Sequence, residues 1–220
     1  MFYLIIILSA SFIIGAVNYI FVAPVYDITL LQVAFYVSVS VIAAIVIDGL
    51  FATVVRWFLP EKWFSVDRKC WAGGRKECRF YEKIGIKRWK EKVIELGCFT
   101  GFRKNKIAEP NNNEYVARYI TEANFGVGCH IADVLCGYLV CLIFPEYWFS
   151  VGLPVGFVNM ILNGLSLMVL RYNLPKLQTL YRINATREKR RQALENAAAS
   201  SVSSVGGTAG DVEEANSVIA

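Results

Sequence analysis

The chain has 220 residues, of which 55% are hydrophobic and 14% aromatic, and its mean hydropathy is +0.43. Charged residues make up 19%, below the roughly 25% of a soluble domain, and they are clustered. The six cysteines include no CxxC pair, which argues against a zinc ribbon and against a disulfide framework. The formal charge of +5 is modest, so its placement carries the information.

Crossing about 30 Å of hydrocarbon takes roughly 20 apolar residues, and four stretches qualify. Met1 to Ala23 carries no charge and lacks the basic start and the cleavage site of a signal peptide, so it is expected as an uncleaved helix. A turn at Pro24-Val25-Tyr26-Asp27 leads to a second apolar run, Leu30 to Phe58, interrupted by Asp48 and ended by Arg56 and Trp57. Tyr119 to Phe144 is the third span, and Tyr147 to Leu170 the fourth. The expected fold is therefore an all-α integral membrane protein. Four transmembrane helices would form two hairpins, 1–58 and 119–170, around an amphipathic, interfacial cytoplasmic insert at 59–118. A basic helix over 171–195 and a disordered tail over 196–220, small and polar with three acids, complete the expectation.

Of the 23 Lys and Arg residues, 15 lie in 59–118, seven in 171–220, and Arg56 ends the second span. The short turns at 24–29 and 145–148 carry none. By the positive-inside rule, both termini and the insert face the cytoplasm of a multi-pass protein in the cell membrane. The sequon Asn184-Ala185-Thr186 would then lie on the wrong side for glycosylation.

Two parts of the insert mix aromatics with cations: Lys62-Trp63-Phe64-Ser65, and Phe80-Tyr81-Glu82-Lys83 through Lys87-Arg88-Trp89-Lys90-Glu91-Lys92. This is the composition of helices lying in the headgroup layer. It fits either adhesion to the membrane surface or contact with a polar lipid substrate. No nucleic-acid reading module is present.

On the third span, Glu122, Gly126, Cys129, His130, Asp133, Cys136 and Gly137 share an arc of about 120°. Glycines and cysteines there are explained by close helix packing. Ionisable groups at membrane depth cost about 2.5–3.5 kcal/mol each on insertion scales and mark function by default. His130, the only histidine, has the chemistry of a general base near neutral pH. Asp133, three residues on, is placed to orient it. Glu122 lies about 12 Å away along the axis, with room for a substrate hydroxyl or acyl carbonyl between them. Asp48, expected to pair with an insert cation or to snorkel, ranks below these residues. No metal ligand set is expected.

Three stretches resemble the glycosyl-4,4'-diaponeurosporenoate acyltransferase family, small bacterial membrane enzymes of staphyloxanthin-type carotenoid synthesis. They are Phe80 to Lys92, the pair Glu122 and His130 with seven residues between, and Arg171-Tyr172-Asn173-Leu174-Pro175-Lys176-Leu177 with Leu180-Tyr181-Arg182-Ile183. The resemblance runs from about Trp63 to Arg191. It implies an enzyme that esterifies a sugar hydroxyl of a glycolipid, or of an isoprenoid-linked glycoside, with a fatty acyl group. No cofactor would be bound; acyl-CoA or an acyl carrier would be the co-substrate, and membrane lipids the surroundings. Carried over by position, Glu122 and His130 become catalytic candidates, with Asp133 added from its place on the helix. Glu82, Lys83, Lys87, Arg88, Trp89 and Lys90 become substrate contacts, and Asn173 a cap or site-shaping residue. The alternatives are a non-catalytic lipid- or partner-binding membrane protein, or another lipid-modifying enzyme of isoprenoid metabolism.

Overall fold

A computed structural model describes residues 2–93 and 107–216, with side chains over 3–93 and 107–198. Part of the insert, 94–106, and the last four residues lie outside the described residues. No strand occurs among the described residues. Among the described residues four helices are long and apolar enough to cross a membrane: Tyr3–Tyr26, Leu30–Phe58, Asn113–Leu142 and Pro145–Ala198. Their outer faces expose large apolar side chains such as Phe12, Leu31 and Trp57, a surface that water does not tolerate and lipid does.

Helix α1 (Phe2–Val17) passes through a π turn (Asn18–Val22) into the short α2 (Ala23–Tyr26). Pro24 sits in the first turn of α2, where its missing N–H is harmless. Asp27 takes a left-handed conformation (φ 50°) and ends that helix. Thr29 and Gln32 form a reciprocal capping box that starts α3 (Leu30–Phe58). The second short turn lies beside the first, because Tyr147 packs on Tyr26 at 5.4 Å and on Tyr36 at 4.7 Å between ring centroids.

At the opposite end of α3 the insert begins, and it is more deeply docked than its composition predicts. Phe64 is fully buried, stacked at 4.9 Å on Trp71 and at 4.1 Å on Phe125. The buried Asn124 amide donates to the carbonyls of Phe64 (2.8 Å) and Ser65 (3.2 Å), pinning this turn to the third long helix. Lys62–Ser65 is thus a plug with one exposed ring, Trp63, rather than a strip lying on a surface. The reason is tertiary: Gly128 leaves the space that the Phe64 ring fills. The second stretch forms two short helices, α4 (Arg75–Lys83) and α5 (Ile86–Trp89). Tyr81, Ile86 and Val93 are buried with Val169 and Tyr172.

Helix α6 (Asn113–Cys136) starts six residues before the expected span, because Asn112 accepts hydrogen bonds from the Glu114 and Tyr115 amides. A 3₁₀ segment (Gly137–Leu142) continues it. Helix α7 (Leu153–Asn216) runs on through Pro175, so most of the expected fourth span, the basic helix and the described part of the tail, 196–216, form one continuous helical backbone. Extending an existing helix needs no new nucleus, which is how the backbone stays helical past residue 196. Helix α6 packs mainly against α7 and α3.

Pro175 has a specific consequence. Lacking an N–H, it leaves the Arg171 carbonyl without its helical donor, and the Gly73 amide supplies one at 2.8 Å. A Cβ on Gly73 would lie 2.7 Å from that oxygen, so only glycine allows the approach. The Arg171 guanidinium reaches the Cys70 and Trp71 carbonyls at 3.2 and 3.3 Å. It also grips Glu77 with two bonds, 2.6 and 2.8 Å. Glu77 additionally accepts from the Tyr81 hydroxyl and the Gly74 amide. The Arg171 hydrogen bond, more than any other influence, holds the Glu77 carboxyl at about 2. Farther along α7, buried Asn184 donates to the Pro110 carbonyl at 2.7 Å, which leaves the sequon asparagine inaccessible.

Candidate active site

The polar groups of α3, α6 and α7 meet at one level of the bundle. Asn159 and Asn163 lie one turn apart on α7 and face Asp48 of α3. Asn159 Nδ2 donates to Asp48 Oδ1 at 2.8 Å, and Asn163 Nδ2 donates to Asp48 Oδ2 at 2.9 Å. Gly137 makes this possible, since a Cβ there would come within 2.5 Å of the Asn159 amide nitrogen. Asp48, expected to reach an insert cation or to snorkel, is held by amides instead. Asp48 is about 15 Å along the helix from the insert end of α3.

The other end of the Asn163 amide points at His130, with Oδ1 2.9 Å from Nδ1. An amide oxygen only accepts, so Nδ1 must carry the proton and Nε2 the lone pair. The chain Asp48–Asn163–His130 therefore selects the imidazole tautomer and fixes its ring. The orienting role that sequence assigned to Asp133 is filled by Asn163. Asp133 Oδ2 stands 3.9 Å from Nδ1, beyond a hydrogen bond, and its buried Oδ1 has no hydrogen-bond partner among the described residues. Asp133 is a nearby carboxyl with an open acceptor.

Glu122 is engaged elsewhere. Arg56 grips it with two bonds, 2.8 and 2.9 Å, and lies over the Phe125 ring at 5.6 Å. Arg56 follows Asp48 by eight residues, and Glu122 precedes His130 by eight, so the ion pair forms a second polar rung about 12 Å nearer the insert. Glu122 and His130 are thus on the same side of α6 without touching.

Three of the six substrate-contact candidates of the insert, Glu82, Lys87 and Lys90, gather around one ring of α7. Tyr172 donates its hydroxyl to Glu82 at 2.9 Å, and Glu82 pairs with Lys87 at 2.9 Å. Lys87, ahead of Tyr172, draws the Glu82 carboxyl below its usual range. Lys176 sits over the Tyr172 ring at 4.1 Å, and Lys90 at 6.0 Å. Trp89 is half-buried and donates to the Ile84 carbonyl at 3.3 Å. Lys83 and Arg88 are exposed. Asn173 lies inside α7 and caps nothing; it lines a cavity of about 300 Å³ with Tyr119, Leu170, Lys176 and Leu177.

A family model described as glycosyl-4,4'-diaponeurosporenoate acyltransferase matches residues 60–183. The chain belongs to that family. No curated protein and no solved structure matches it. Membership of the glycosyl-4,4'-diaponeurosporenoate acyltransferase family makes the chain an acyltransferase and connects it to carotenoid biosynthesis. The matched stretch takes in the insert, α6 and α7 as far as residue 183, hence His130, Asp133, Asn159 and Asn163. Asp48 and Arg56 precede it, although each completes a polar rung. Sequence reasoning overlooked Asn159 and Asn163. Their signal was two amides spaced i, i+4 within an apolar span, where polar groups need partners.

Proposed function

We propose that the chain transfers a fatty acyl group from a thioester donor, acyl-CoA or an acyl carrier, to a hydroxyl of a membrane-held glycolipid, the sugar hydroxyl of a glycosylated isoprenoid. The observation that carries the reading is the Asp48–Asn163–His130 chain, which leaves His130 Nε2 as a fixed base inside the bundle. Nε2 takes the proton of the acceptor hydroxyl as its oxygen attacks the acyl carbonyl. The tetrahedral intermediate collapses, the carbon–sulfur bond breaks, and the imidazolium returns the proton to the departing thiolate. Asp133, with an open acceptor oxygen, holds the acceptor hydroxyl or balances the transient imidazolium. Glu122 serves indirectly, as the partner that keeps Arg56 at the entrance rung. The insert and both termini lie on the cytoplasmic side, where acyl thioesters are found, as the placement of the cations supports.

The test is comparative mass spectrometry of lipid extracts made with the wild-type chain and with His130→Ala. A lipid heavier by one fatty acyl residue is expected with the wild type alone, since losing a general base costs about 10²–10⁴-fold. Full acylation by an inserted His130→Ala protein would overturn the mechanism. No acylated product under any donor would favour a non-catalytic lipid-binding role.

A further inference from the structure

Cations and cavity at the insert end of α7 belong together. Lys176 is shared: its ammonium covers the Tyr172 ring, and its side chain lines the cavity with Asn173. Lys90 reaches the same ring, and Lys87 is one carboxylate away through Glu82. Three ammonium groups thus lie around one phenol, which itself bonds Glu82, and Lys176 among them stands at the rim of a mostly apolar slot. The slot's walls are Tyr119, Leu170, Leu177 and Leu180. Its lining extends to Ala123 on α6 and Leu170 on α7, each seven residues, roughly 10 Å, from His130 and Asn163 respectively.

We infer that this is the anchoring site of the acyl donor, with Lys90 and Lys176 holding its phosphate groups and the slot receiving the arm that carries the thioester. The inference rests on the proposed acyl transfer and adds where the donor binds and by which part. Reach selects the donor. Lys176 and Asn163 are 13 residues apart on α7, roughly 20 Å at the helical rise. A phosphopantetheine thioester puts a long flexible arm between phosphate and reactive carbonyl and can bridge that span. A glycerophospholipid carries its ester only a few bonds from its phosphate and cannot. Lysine suits the task as a point-charge phosphate binder, and Tyr172 steadies the ammonium of Lys176 by a cation–π contact.

Binding can be read without turnover. The full chain, purified in detergent, is titrated with a non-hydrolysable acyl-CoA thioether and, separately, with phosphatidylglycerol. Lys176→Gln and Lys90→Gln should each weaken the thioether roughly ten-fold, the scale of one charge-assisted contact. Added salt should weaken it further, and Lys176→Arg should restore most of the affinity. His130→Ala should bind the thioether as the wild type does, so failure of the chemistry and failure of the anchor are told apart. Wild-type affinity in Lys176→Gln together with Lys90→Gln would overturn the inference. So would a Lys176 dependence seen for phosphatidylglycerol and not for the thioether.

Discussion

The most consequential residue is Asn163, because it joins a carboxylate to a base without itself titrating. Its two functions are separable by substitution. Asn163→Ala removes the acceptor for Nδ1–H and frees the ring to rotate and to change tautomer. Acyl transfer should fall about ten- to hundred-fold in kcat, less than the loss of the base itself, with KM for the acceptor little changed. Asp48→Asn should have a smaller effect in the same direction, since one amide of its partners must then turn away. A matching rise in KM with kcat intact would mean that Asn163 binds substrate rather than orienting His130. Glu122 differs in kind. Its bidentate bond to Arg56 predicts that Glu122→Gln and Arg56→Gln have similar effects and that the double variant is little worse than either, as a coupled pair requires. Additive losses measured in kcat/KM would show instead that the two act separately.

Among the elements, α7 does two jobs at different heights. Its middle supplies the amides that face Asp48, and the turn before Pro175 supplies the platform for the insert. Because the Gly73 amide replaces the helical donor lost at Pro175, Gly73→Ala should force the loop off α7. A cost of about 1–3 kcal/mol is expected, typical of overpacking, measurable as faster proteolysis at the insert's basic residues. The Glu77–Arg171 pair adds a pH dependence. Glu77 has its folded value depressed to about 2 from 4.5, so its stabilising contribution is complete above about pH 4.5. That contribution is lost as the pH falls through 2. Since the carboxylate is partly exposed, solvent screening limits the effect to about 1 kcal/mol. Acid-induced release of the insert, followed by protease sensitivity, should therefore start at higher pH in Arg171→Gln than in the wild type.

For the whole molecule, the prediction is one of sidedness. Cys70 is exposed on the insert. In a variant in which it is the sole cysteine, a membrane-impermeant maleimide should label it in inside-out vesicles and leave it unlabelled in intact cells. Labelling from outside would reverse the topology and put the proposed donor site on the wrong face.

The four apolar stretches, the charge-rich segment between them and the ionisable seam of the third helix are all written in local composition. Each is a property of consecutive residues or of one helical face, and hydrophobicity over about 20 residues decides it. The family motifs are local in the same sense. The tertiary structure alone decided the partners. Asp48 and His130 are 82 positions apart in the chain and are linked only because α7 brings Asn163 between them; no periodicity within one helix encodes that meeting. The same holds for Glu122, whose acid looks catalytic on its own helix and is neutralised by Arg56 from another. Phe64 looks interfacial by composition and is a core plug, because Gly128 and Phe125 of α6 make its socket. Burial of polar groups in an apolar bundle must be satisfied across helices, so the pairing that gives the site its chemistry arises from packing.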